Sequence, residues 1–136
     1  MITLPSELIK NIVRTALAED VGAGDITTEV SVPADLLGTA TIIAKEPCVV
    51  AGLALVEAAF RELGGQVQSL VRDGDVVTTG QRVCEITGPA RAILTGERTA
   101  LNFLQQLSGI ATLTRQFVEA VAGAKTQILD TRTFQS

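Results

Sequence analysis

Along the first third of the chain, apolar residues recur at helical spacing and then switch to alternation. Leu8, Ile9, Ile12, Val13, Ala16 and Leu17 form one stripe, which predicts an amphipathic helix over Leu4–Leu17 with Pro5 and Glu7 suited to its first turn. The stretch Glu19-Asp20-Val21-Gly22-Ala23-Gly24-Asp25-Ile26-Thr27-Thr28 follows. Its glycines permit left-handed turns, so it reads as the end of a helix running into a structured turn. Its three acids also allow a metal loop, although the ligand alternation and closing glutamate of a calcium helix-loop-helix are missing.

The pattern then becomes that of strands. Thr39-Ala40-Thr41-Ile42-Ile43-Ala44 is β-branched, and Cys48-Val49-Val50-Ala51 is a second apolar run. Gly52 opens a helix carrying Leu55, Val56, Ala59, Phe60 and Leu63 on one face, closed by Gly64-Gly65. Gln66 to Val71 alternates, Asp73-Gly74-Asp75 turns, Val76-Val77 continues, Thr79-Gly80 turns again, and Gln81 to Thr87 makes another strand before Gly88-Pro89.

A long helical stripe follows, with Thr95 as its expected N-cap and Ala100, Leu101, Phe103, Leu104 and Leu107 on its apolar face. A kink is expected at Ser108-Gly109, and Ile110, Leu113, Phe117, Val118 and Val121 carry the stripe on to Gly123. Thr126-Gln127-Ile128-Leu129-Asp130 reads as a final strand that needs a partner strand. The order of elements predicts an α+β fold, an antiparallel sheet with helices covering one face.

Composition narrows the chemistry. At 136 residues the chain is one domain of ordinary size, able to bury roughly two-thirds of its unfolded surface. A hydrophobic fraction of 46% with only 3% aromatic residues places Leu, Ile, Val and Ala in the core. A net charge of −4 offers no basic stripe for phosphates, which argues against nucleic acid as partner. No apolar run reaches the ~20 residues needed to cross a bilayer, and no signal-peptide core is seen, so a cytoplasmic setting is expected. The absence of histidine excludes the commonest general base, a Cys–His nucleophile and the usual zinc spacings. Cys48 and Cys84, flanked by valines, read as structural thiols.

Arg98 stands out for its place at the start of the long helix, where the dipole opposes a cation. It reads either as a solvated surface charge or as a charge wanted for something beyond the helix. Two resemblances bear on the choice. The run from Val71 to Ile86 resembles the hairpins of biotinyl and lipoyl carrier domains, but Lys10, Lys45 and Lys125 all lie outside its turns. It would be a carrier without its attachment lysine, and the likeness is one of hairpin architecture.

The second resemblance spans nearly the whole chain. The runs Ala18–Thr28, Asp73-Gly74-Asp75, Leu94–Phe103, Leu107-Ser108-Gly109-Ile110-Ala111-Thr112 and Leu129-Asp130-Thr131-Arg132-Thr133 follow one another as in quinolinate phosphoribosyltransferases. The resemblance implies an N-terminal α/β sandwich over residues 1–124 and, from 125 to 136, the start of a C-terminal α/β barrel. It implies transfer of phosphoribose from phosphoribosyl pyrophosphate to quinolinate, giving nicotinate mononucleotide, carbon dioxide and pyrophosphate for NAD synthesis, with Mg2+ as cofactor. It also implies a homodimer in which the arginine matching Arg98 reaches a neighbouring subunit's substrate, while Thr131, Arg132 and Thr133 match the substrate-binding run on the first barrel strand. Thr133 departs from the family's lysine, and Phe134-Gln135-Ser136 does not continue the family pattern. The expectation is a truncated chain whose barrel is missing after its first strand, inactive alone, with a non-catalytic assembly module as the alternative.

Overall fold

The computed structural model describes residues 5–135, with side chains for 5–20 and 32–124. In chain order the elements are α1 (Ser6–Ser31), β1 (Leu37–Ile43), β2 (Cys48–Val49), α2 (Leu53–Glu62), β3 (Gln66–Ser69), β4 (Val76–Val77), β5 (Arg82–Pro89) and α3 (Ala90–Gln135). β5 is the middle strand of an antiparallel sheet ordered β1-β5-β3, and β2 pairs with β4 in a second, two-stranded ribbon. The mixed α/β architecture with an antiparallel sheet is the one the alternation predicts.

Strand periodicity sets the two faces of the sheet. Leu37, Thr39, Thr41 and Ile43 face solvent, whereas Gly38, Ala40 and Ile42 turn inward, and Ile86 of β5 is buried beneath the helices. Between β3 and β5 the chain leaves the main sheet to form β4, so the run from Val71 to Ile86 is not a simple hairpin. The carrier likeness ends there.

α2 lies between two apolar clusters and belongs to both. Val56 and Phe60 pack with Val50, Val83, Ile86, Ile93, Ala100 and Leu104 over the sheets. Leu55 and Ala59 meet Val13 and Leu17 of α1, with Phe103 and Leu107 of α3 beside them. α1 therefore closes the outer side of the α2–α3 pair. The start of α2 needs a glycine: Gly52 has φ 102°, and a β-carbon there would lie 2.9 Å from Leu107 Cδ1. The Leu53 N–H, an orphan donor of the first turn, is taken by Asp73 Oδ1 at 3.1 Å. The Asp73-Gly74-Asp75 turn is thus a cap supplied from elsewhere in the chain.

Four local expectations are corrected. α1 does not end near Glu19 but continues to Ser31. Glycine costs about 1 kcal/mol in a helix interior, which does not stop a helix whose neighbours extend the hydrogen-bond ladder. The stop comes ahead of Pro33, since the residue before proline is driven out of the helical region. α3 begins at Ala90 rather than after Thr95, because the Ala90 N–H already finds the Leu36 carbonyl at 2.8 Å. Thr95 is therefore interior and caps nothing. α3 does not stop at Gly123 but runs on to Gln135. Residues 126–130 are helical and not a strand. A strand without a neighbour leaves its backbone polar groups unpaired, whereas helix propagation satisfies them within the segment.

No helix among the described residues is long and apolar enough to cross a membrane.

Candidate functional site

The long first half of α3 carries the side chains of interest. Arg98 lies in its third turn, exposed, with no ion pair or hydrogen bond among the described residues. The dipole argument for Arg98 lapses, since that effect fades beyond the first turn. Several other arginines are engaged. Arg14 Nε donates to Glu62 Oε1 at 2.6 Å, which raises the Arg14 pKa, and Arg91 Nε donates to the Val32 carbonyl at 2.6 Å. Arg98 remains an uncommitted cation beside exposed Glu97, Asn102 and Gln105.

Three hydroxyls on α3 fix how the helix lies. Thr99 is only 2% exposed, and its Oγ1 donates to Asp20 Oδ2 at 2.5 Å, tying α3 to α1. Ser108, 7% exposed, accepts from the Ala51 N–H at 3.0 Å and donates to the Ala51 carbonyl at 3.3 Å. One turn further on, Thr112 Oγ1 accepts from the Val49 N–H at 2.9 Å and donates to the Ser108 carbonyl at 2.7 Å. The free edge of β2 is therefore paired with helix side chains where another strand would otherwise lie. Helical spacing marks these positions as inward, but only the fold shows which partner each one meets.

α2 and α3 approach each other closely through Gly96. A β-carbon on it would lie 2.9 Å from Phe60 Cε1 and 3.0 Å from Leu63 Cδ1. Two turns of the same helix thus combine a glycine for close approach, an outward arginine and a buried threonine.

Thr131, Arg132 and Thr133 fall in the last part of α3, and their side chains lie outside the described residues. Among the described residues, no cluster of three or more acidic, cysteine or histidine side chains could hold a metal. Asp20, considered above for a metal loop, is instead the acceptor for Thr99. The Mg2+ implied by the resemblance finds no ligand set in the described part of the chain. Cys84 is fully buried and Cys48 half-buried, both free thiols. Burial, with the charge of Glu57 second, pushes the Cys84 thiol up to about 11, where it is inert as a nucleophile at neutral pH.

An antiparallel sheet backed by paired helices, with an exposed arginine on the longest of them, defines an α/β sandwich module. Comparison with known proteins makes the assignment specific. The chain belongs to the family described as quinolinate phosphoribosyl transferase, N-terminal domain, whose profile matches residues 25–108. It is 41% identical over 128 residues to the nicotinate-nucleotide pyrophosphorylase (carboxylating) of Mycobacterium leprae, covering 90% of this chain and 45% of that protein. It is 39% identical over 131 residues to a quinolinate phosphoribosyltransferase (decarboxylating) of Nicotiana tabacum, covering 94% and 37%. Among solved structures, the nicotinate-nucleotide pyrophosphorylase from Francisella tularensis superposes with a TM-score of 0.80 at 35% identity, over 89% of this chain and 43% of that one. NadC from Streptococcus pyogenes gives 0.83 at 37% identity, over 90% and 44%. The chain spans less than half the length of these relatives.

Proposed function

We propose that this chain serves as the N-terminal module of a quinolinate phosphoribosyltransferase, with residues 125–136 leading toward the barrel that completes the enzyme. The reaction joins quinolinate to the ribose of phosphoribosyl pyrophosphate and releases pyrophosphate and carbon dioxide, leaving nicotinate mononucleotide. Arg98 supplies a carboxylate contact to quinolinate held in a neighbouring subunit of a homodimer. Arg132, with Thr131 and Thr133, contributes to the subunit's own site.

The observation that carries this reading is the uncommitted, exposed Arg98 inside the matched stretch. Quinolinate is a dianion, and the planar guanidinium fork suits bidentate pairing with a carboxylate. Each charge-assisted bond contributes on the order of 1.5–3 kcal/mol. The bond to pyrophosphate breaks with positive charge developing on the ribose, so positioning and electrostatics dominate and no histidine is needed.

Subunit complementation tests the proposal. The purified chain alone is expected to form no nicotinate mononucleotide. Mixed with a full-length Mycobacterium leprae relative whose arginine matching Arg98 is replaced by alanine, it should restore activity, and its Arg98→Ala variant should not. Equal restoration by both chains would refute the role of Arg98.

A second reading, an assembly module without chemistry, is favoured by one observation. The outer half of α3 exposes Leu113 at 67% and Phe117 at 69%, with Ile110 and Val118 nearby. Concentration-dependent association of the chain on size exclusion, coupled with failure to complement, would support it.

A further inference from the structure

Burying a hydroxyl in an apolar contact is unfavourable unless it is bonded, and Thr99 is nearly fully buried. The contact it lies in is otherwise apolar: Val13 and Leu17 of α1 against Phe103 and Leu107 of α3. Apolar packing is non-directional and tolerates small rotations of one helix on another. A hydrogen bond from a hydroxyl to a carboxylate does not, because it weakens steeply with angle and distance. Thr99 Oγ1 donates such a bond to Asp20 Oδ2. Thr99 is also the neighbour of Arg98, so whatever fixes one about the helix axis fixes the other.

We propose that Asp20 and Thr99 form a positioning pair that sets the rotation of α3 and thereby aims Arg98 at its carboxylate. The inference rests on the reading of Arg98 as a substrate contact. A rotation of about 20° moves a group ~6 Å from the helix axis by roughly 2 Å. Misplacement of about 1 Å in a binding group is enough to cost up to ~100-fold in rate. Ser108 and Thr112 fasten the same helix to β2 roughly 14–20 Å further along it, so the bond to Asp20 is the hydroxyl restraint nearest Arg98. Asp20 is only half-buried, so the carboxylate released by losing Thr99 remains hydrated, and the pair can be broken without stranding a charge.

Complementation kinetics with the full 136-residue chain provide the test. Thr99→Val keeps the shape and removes the donor; Asp20→Ala removes the acceptor. Each is expected to raise KM for the pyridine dicarboxylate about tenfold, with KM for phosphoribosyl pyrophosphate within twofold of the parent. The double variant should match either single one, and Thr99→Ser should restore the parent value. If Thr99→Val does not fold by circular dichroism, Asp20→Ala carries the comparison alone. Parent-like KM in a folded variant, or an equal rise for both substrates, would overturn the positioning role while leaving the assignment of Arg98 standing. Failure of the parent chain to complement would remove that assignment first, and the inference with it.

Discussion

At the scale of single residues, two of the glycines of α3 make opposite demands. Alanine is favoured over glycine in a helix interior by about 1 kcal/mol. Gly109 has nothing within 4 Å of the place its β-carbon would occupy, so Gly109→Ala is expected to raise the melting temperature by several degrees. Gly96 faces the Phe60 ring at 2.9 Å, backed by Leu63, so Gly96→Ala should lower stability by 1–3 kcal/mol or about that, the usual cost of overpacking. Paired denaturant melts of the two variants check both signs. The Cys84 thiol gives a pH signature. Its native pKa of about 11 lies above the ordinary 9.0, so the folded chain holds a proton that the unfolded chain has released. That contribution is fully present below pH 9 and is lost as pH rises from 9 toward 11. Stability measured over this window should fall more steeply for the parent than for Cys84→Ala, and equal slopes would contradict the assignment.

At the scale of elements, α2, the strands and the antiparallel order were legible in the sequence because period and punctuation agreed. Leu55, Val56, Ala59 and Phe60 define a helix, and Gly52 and Gly64-Gly65 bound it. The misread boundaries lie where the deciding partner is distant. The start of α3 depends on the Leu36 carbonyl, more than fifty residues before it, and the end of α1 on Pro33 instead of on its glycines. Arg98 was marked as a candidate by its motif and not by its spacing. Thr99 was visible only as an interior position, since its partner Asp20 lies 79 residues away. Ser108 yields the prediction at this scale. Ser108→Ala leaves the Ala51 N–H without its acceptor and should cost about 1–3 kcal/mol, while Ser108→Thr should cost less if its hydroxyl reaches the same group. Chemical denaturation of the two variants separates the lost bond from the altered volume.

At the scale of the whole molecule, α2 joins two cores into one unit. Phe60 points to the sheet side and Leu55 to α1, so loosening either side removes support from the other. Phe60→Ala should cost about 3–5 kcal/mol and Leu17→Ala about 2–5 kcal/mol. Both are expected to shift a single transition, coincident by helix signal and by compactness. Two separated transitions in Leu17→Ala would show that α1 unfolds independently.

The seam between α3 and β2 has a consequence for exchange with solvent deuterium. The Val49 and Ala51 amides are protected by hydroxyls on a helix and not by a neighbouring strand. Their exchange therefore times the lifting of α3 from the ribbon, whereas the Val50 amide, bonded to the Asp75 carbonyl, times the opening of the ribbon itself. Successive residues of one short stretch thus serve as two clocks. A faster rate at Val49 and Ala51 than at Val50 would record the helix moving while the sheets stay closed.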